Sequence, residues 1–317
     1  MGRLRAGLVA CALCGAFAAT ASAQPYGYIV NAADPAEDGS HDNLWRVDLA
    51  SGFADNIGPV NLPTSANPQS DIEGLALRTS SQLYGVDDAT DSLVIFALAT
   101  GGAQPVRRPR DNLELNLQGG ALDPGLAFDC SGALLMSSAT RRTLYRLDRQ
   151  TGQASVVGGE GRLGARIGDL SVRGDEVFGI GIDGDEGLYR IDAQTGQAQR
   201  IGGLGVDLQL TNVGVDFDGS GNLWAVGHIV DSRGQPEPSR IFRVDRESGQ
   251  ATLGPTTRVG VKSLAIRPPR CSLEPPEPPP GPGPGDRGSH QAVPVNTPGA
   301  LIVLLAAVMF LARRRLG

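Results

Sequence analysis

One segment recurs five times along this chain. It reads LWRVDLASGFA from Leu44, LVIFALATGGA from Leu93, LYRLDRQTGQA from Leu144, LYRIDAQTGQA from Leu188 and IFRVDRESGQA from Ile241. The starts are 49, 51, 44 and 53 residues apart. A repeat of this length with strand-like content is the signature of a β-propeller, one repeat per blade.

The repeat extends beyond that one strand. About 20 residues before each copy lies a short apolar segment, of which Gly74–Leu77, Gly125–Phe128 and Gly214–Phe217 are examples. A second precedes it more closely, such as Leu83–Val86 or Val177–Ile180, and a fourth piece such as Ser155–Val157 follows. All are rich in β-branched and aromatic residues and bounded by Gly, Asp, Asn or Ser, which is how strands and turns read. Each unit therefore carries four strands, a to d. The Ser-Gly or Thr-Gly after strand c suits a hairpin that needs positive φ.

The leftover half-units say how the ring closes. The first unit has strands b (Gly27–Val30), c (Leu44–Asp48) and d (near Asn56–Val60), and its missing strand a lies at the other end, Val261–Arg267. The expectation is an all-β, five-bladed propeller whose first blade is closed by the C-terminal strand. The alternative, an open array, would leave an unpaired edge that recruits other chains.

The chain ends read as addresses. Arg3 and Arg5, the apolar run from Ala6 to Ala19 and the small residues before Gln24 form a signal peptide over residues 1–23, cleaved between Ala23 and Gln24. A lipobox reading ending at Cys11 is the alternative. The propeller occupies 24–271. Residues 272–298 are a Pro/Gly-rich extended spacer that cannot build a core. Residues 299–317 hold an apolar run, Gly299 to Ala312, and the cluster Arg313, Arg314, Arg315. That run reads as a single apolar helix, short for a full bilayer span. The arginines would stay cytoplasmic and place the propeller outside.

Pro294 and Pro298, the apolar helix and the arginine cluster together resemble the tripartite C-terminal sorting signals of the PEP-CTERM type. The resemblance implies retention in the inner membrane until a membrane sorting protease removes the tail. A plain membrane anchor gives the same topology. The five repeats resemble the secreted bacterial propellers of NHL-like, quinoprotein-like and phytase-esterase-like type, with Asp71-Ile-Glu-Gly-Leu-Ala76 similar to a phytase-esterase segment. That resemblance implies the fold and no active site.

The chain carries a net charge of −6 and a single lysine, Lys262. Nucleic acid is excluded as a partner, since phosphate binding needs clustered Lys and Arg. Cys130 and Cys271 remain after signal cleavage, and an exported setting makes a disulfide between them the expectation. Both fall on the same end of the ring in non-adjacent blades, so the tail must cross that end. The recurrent Arg and Asp of strand c (Arg46/Asp48, Arg146/Asp148, Arg190/Asp192, Arg243/Asp245) share one face. Their presence in four of five copies marks them as architectural.

No nucleophile elbow, zinc-protease motif, P-loop or CxxC survives in the mature chain. Asp216-Phe-Asp-Gly-Ser-Gly-Asn222 has the spacing of a calcium-loop start but lacks the distal glutamate, and Asp-Gly is an ordinary turn pair. A second acidic loop, Asp183, Asp185 and Glu186, is the candidate metal site, with calcium as the cofactor it would take. The long insertions (Ala32–Asn43, Gly58–Ser70, Arg107–Leu122, His228–Ser239) all fall in b–c and d–a connections, at one end of the ring. Binding usually sits on such loops. The expected ligand residues at that mouth are Asp71, Glu73, Asp87, Asp88, Asp169 and His228, facing an unknown protein, glycan or small-molecule ligand. Three function classes follow: a binding module, a metal-dependent propeller hydrolase, or a structural envelope protein.

Overall fold

The computed structural model describes residues 25–31, 42–60, 71–107, 112–115, 122–231 and 233–271. Ala23, Gln24, Pro294, Pro298, Arg313, Arg314 and Arg315, with the expectations placed on them, lie outside the described residues. So do most of the insertions at 32–43, 58–70 and 107–122. Among the described residues there is no helix, and every regular element is a strand.

Blade 1 holds β1 (Tyr26–Asn31), β2 (Asn43–Asp48) and β3 (Ala54–Pro59). Blade 2 is β4 (Ile72–Thr79), β5 (Gln82–Asp87), β6 (Ser92–Phe96) and β7 (Ala103–Pro105). Blade 3 is β8 (Pro124–Phe128), β9 (Leu134–Ser138), β10 (Thr143–Leu147) and β11 (Ala154–Val156). Blade 4 is β12 (Ile167–Arg173), β13 (Glu176–Gly181), β14 (Gly187–Ile191) and β15 (Ala198–Gly202). Blade 5 is β16 (Leu210–Phe217), β17 (Leu223–Ile229), β18 (Pro238–Val244) and β19 (Ala251–Val259), and β20 (Val261–Ala265) ends the series. β20 joins the first sheet, in the order β20-β1-β2-β3, with Ile29 opposite Leu264. The C-terminal strand thus completes the first blade.

Burial grades outward across each blade. The inner strands β8 and β20 are buried at every residue, whereas β3 and β11 on the rim are buried at none. Inner strands contact one another around the cycle β20, β4, β8, β12, β16 and back to β20. The apolar core is correspondingly five clusters, one in each gap between blades. Phe178 and Ile180 of blade 4 pack on Val213 and Phe217 of blade 5. Ile29 and Trp45 of blade 1 pack on Val226 and Ile241 of blade 5, so the gap that closes the ring has a core like the others. Edge-to-face pairs cross two of these gaps, Tyr84 on Phe128 at 5.4 Å and Phe178 on Phe217 at 5.6 Å. A buried phenylalanine of this kind is worth roughly 1.5–3 kcal/mol of transfer free energy.

The strand-c pattern is architectural. Asp48 Oδ1 accepts from the amides of Ala50 (2.8 Å) and Ser51 (3.3 Å), fixing the hairpin into strand d. Asp148, Asp192 and Asp245 repeat that turn. The arginines lie outside, Arg46 over the Tyr26 ring at 4.4 Å and Arg243 over Trp224 at 5.7 Å. The hairpin glycine has a second role besides its positive φ. A Cβ on Gly52 would sit 2.1 Å from the carbonyl oxygen of Thr256 in blade 5, and one on Gly101 would sit 2.4 Å from that of Gly58 in blade 1. The tip of each of these hairpins is pressed against the rim strand of the preceding blade.

The a–b end of the ring is closed by the segment Arg267–Cys271. The amides of Ile266 and Arg267 donate to Asp216 Oδ2 at 2.7 and 3.2 Å. Arg270 bridges to Arg173 in parallel and accepts from the Gly174 amide at 2.8 Å. Cys271 is disulfide-bonded to Cys130, with the Cα atoms 5.2 Å apart. At this crossing lies a cavity of about 20 Å³ lined by Leu75, Leu126, Leu170 and Val215 of the inner strands together with Arg267 and Pro269. That is room for about one water molecule.

Candidate functional site

The opposite end of the ring gathers charged side chains from four blades. At its centre is Lys262, the chain's one lysine, on β20 and only 7% exposed. A buried ammonium needs anionic partners. Its Nζ donates to Asp71 Oδ1 and lies 3.3 Å from Asp42 Oδ1. Asp42 itself is 2% exposed and also accepts from the Ile72 amide at 2.5 Å, tying blade 1 to blade 2. Burial pushes the Asp42 carboxyl up to about 6, with Lys262 and the Ile72 amide pulling it back. Burial likewise works against the Lys262 charge, but Asp42, Asp71 and Glu73 outweigh it and raise its pKa.

Glu73 lies next to this pair. The second residue of β4, it is 6% exposed. Its Oε1 accepts from Asn212 Nδ2 of blade 5 at 3.1 Å, and its Oε2 is buried without a hydrogen-bond partner. Burial raises its carboxyl well above the ordinary glutamate value, with Lys262 opposing. Asp88, 2% exposed, accepts from the amides of Leu122 (3.2 Å) and Asp123 (3.4 Å). Its carboxyl is pushed up to about 7, first by burial, against those amides. Carboxylate oxygens of Glu73, Asp88 and Asp123 all fall within 4.8 Å of one another. Arg166 Nη2 stands 3.6 Å from Asp123 and 2.8 Å from Asp183.

The expected ligand residues divide. Asp71, Glu73 and Asp88 come together at the mouth. His228 of β17 is at the same end: its Nδ1 pairs with Thr211 Oγ1 at 3.2 Å and its Nε2 is buried and unpartnered. Burial and then Lys262 lower the pKa of that imidazole. Asp87 ends β5 and is buried, accepting from the Asp71 amide at 3.0 Å and from Thr90 Oγ1 of the following turn.

Asp169 is not a mouth residue. It is 1% exposed, between the inner strands, where Oδ1 accepts from Leu126 of blade 3 (2.9 Å) and Oδ2 from Val215 of blade 5 (2.8 Å). Both oxygens are engaged in holding three blades together, so neither is offered to a ligand. Asp216 does the same one blade on, accepting from Ser171 Oγ at 2.9 Å as well as from Ile266 and Arg267.

The acidic loop does not converge. Asp183 pairs with the Arg166 guanidinium, Asp185 Oδ2 accepts from the Arg166 amide at 2.8 Å, and Glu186 Oε1 accepts from Gly184 at 3.2 Å. The grouping of carboxylates among the described residues is Glu73, Asp88 and Asp123 instead. The calcium-like turn is closed on itself: Asp218 accepts from the Ser220 and Asn222 amides and from Trp224 Nε1.

Three residues of the mouth escape a reading by motif: Asp42, Asp123 and Lys262. Asp123 and Lys262 have a signal in the repeat register. When the inner strands are aligned on Gly74, Gly125 and Ser263, Asp123 falls where the neighbouring blade has Ile72. Lys262 falls where it has Glu73. A charge at a position flanked by buried apolar residues points inward to partners.

No family model and no curated protein matches this chain. Among solved structures it is similar to a chain of a nidogen/laminin complex, with 12% identity over 78% of this chain and 100% of that one and a TM-score of 0.45. It is similar to virginiamycin B lyase from Staphylococcus aureus, with 14% identity over 73% and 69% and a TM-score of 0.38. A protein of unknown function from Bacteroides thetaiotaomicron shares 17% identity over 64% of this chain, which spans 54% of that protein, with a TM-score of 0.42. At such distances the likeness concerns the fold, and the five-bladed assignment rests on this chain's own strand order.

Proposed function

We propose that this chain is an exported, membrane-tethered or surface-sorted β-propeller that binds a protein, glycan or small-molecule ligand at its loop-bearing end. The observation that carries this reading is the inequality of the two ends. The a–b end has tight turns and is covered by Arg267–Cys271. The other end draws Asp42, Asp71, Glu73, Asn212 and Lys262 from blades 1, 2 and 5 to one mouth. Loops on a rigid scaffold with charged groups at their base suit recognition.

The test has two arms. Intact-mass measurement and fractionation address the export: the mature protein should begin at Gln24, and a soluble cytoplasmic protein retaining Met1 refutes it. Glycan and peptide arrays probed with the full chain address the binding. His228→Ala and Arg233→Ala, at the loop-bearing end, should reduce the signal, and Ser220→Arg, in an a–b turn, should leave it. Binding that follows Ser220 refutes the assignment of the face.

A second reading has its own support. The grouping of Glu73, Asp88 and Asp123 suits a metal-dependent hydrolase acting on lactones or phosphoesters. Turnover of such esters by the full chain, abolished by Glu73→Gln, would favour it over simple binding.

A further inference from the structure

We propose that Glu73, Asp88 and Asp123 form a calcium site in the seam between blades 2 and 3 at the loop-bearing mouth. Three observations bear on it. The carboxylate oxygens lie within 4.8 Å of one another, close enough for one ion with Ca–O bonds of about 2.4 Å to reach all three. The group contains no imidazole or thiolate, so the donors are all hard oxygens, which select against zinc and copper.

The second observation is independent of the clustering. Glu73 Oε2 is buried and has no hydrogen-bond donor, although Oε1 is held by Asn212. A buried carboxylate oxygen with no donor or cation beside it is costly. Lys262 eases the burial of Glu73 from a distance, but its Nζ makes its direct contacts with Asp71 and Asp42.

The third concerns how the ligands are held. Asp88 is fixed by the Leu122 and Asp123 amides, and Glu73 by Asn212, so two of the three carboxylates are oriented from behind. Asp123 has competing partners, Arg166 at 3.6 Å and Thr140 Oγ1 on its Oδ2. Calcium would share this carboxylate with them and draw its remaining oxygens from water. The site stands whether the mouth only binds or also hydrolyses.

Full-length chain purified in detergent and stripped with EGTA would be titrated with CaCl2 in a calorimeter, with melting followed in parallel. One calcium per chain and a raised melting temperature are expected. Glu73→Gln should weaken binding by roughly 100-fold or more, since even outer-shell changes cost 10- to 100-fold. In EGTA the Glu73→Gln chain should melt at or above the wild-type temperature, because a neutral amide replaces a buried carboxyl oxygen that has no donor, so the loss cannot be put down to unfolding. Glu186→Gln should bind as wild type does. No binding by wild type up to about 10 mM, above the range of weak extracellular calcium modules, overturns the proposal. So does undiminished binding by Glu73→Gln, or binding lost only in Asp183→Asn, which would place the ion in the acidic turn.

Discussion

Replacing Lys262 by methionine tests the electrostatics of the mouth directly. Methionine matches the aliphatic stem but removes the charge that Asp42 and Asp71 share. Asp71 is partly exposed and can recover water, but Asp42 is 3% exposed in its side chain and cannot. Removing one partner of a buried ion pair costs about 3–5 kcal/mol. The cost depends on pH, and its sign follows from Asp42. The Asp42 carboxyl is already raised to about 6 in the folded chain, so its contribution to stability is full below its unfolded value and is lost as pH rises through about 6. Without Lys262 that folded value rises further. The penalty should therefore be small near pH 5, where Asp42 takes a proton, and full at about pH 8. For a body of this size each kcal/mol moves the melting temperature by about 2–4 °C, so a loss of roughly 10 °C is expected at pH 8. Circular-dichroism melts in EDTA at both pH values measure it, and Asp42→Asn in the same chain should restore most of the loss. A penalty under about 1 kcal/mol at pH 8, or one equal at both pH values, would refute the reasoning.

Other outcomes are expected elsewhere. Asp169→Ala leaves the Leu126 and Val215 amides buried without acceptors, at about 1–3 kcal/mol each, and urea titration should show a loss of roughly 2–5 kcal/mol. Gly214→Ala puts a Cβ 2.1 Å from the Leu264 amide nitrogen and should prevent ring closure or cost more than about 3 kcal/mol. Gly184→Ala, in open space with a φ of +94°, should cost only about 1 kcal/mol in the same assay. Reducing the Cys130–Cys271 bond, which spans 141 residues, should lower unfolding free energy by about 2–5 kcal/mol while the far-UV spectrum stays native.

Much of the fold was legible because a repeat multiplies a weak signal. Any one segment such as Ser155–Val157 is too short to assign, and β11 there is only 3 residues long. Five copies in register make it a strand. The paired half-units at the two ends likewise imply the β20–β1 pairing. The candidate site was harder. Asp169 looked like a mouth residue because it occupies the inner strand. Nothing local distinguishes a carboxylate that faces the channel from one that faces the next blade's amides. Its replacement of the glycine found at Gly74, Gly125 and Gly214 was the available clue. The Asp42–Lys262 pair is separated by most of the chain, and only closure of the ring brings the two together. The acidic loop misled for the opposite reason: Asp183 adopts a φ of +51°, and Arg166, from the preceding connection, takes up its charge.

The Cys130–Cys271 bond also decides how the molecule bears load. A strand that both closes a ring and ends the folded body is the first that a pull on its C-terminal side would peel away. Here tension arriving from beyond Cys271 passes through sulfur into the a–b turn of blade 3. The hydrogen bonds between β20 and β1 are bypassed. The ring is then loaded across its width, with many strands sharing the stress, while the closing strand stays slack. In reduced protein the same pull would act on β20 alone, and single-molecule extension should register an early unzipping event that the oxidised chain lacks.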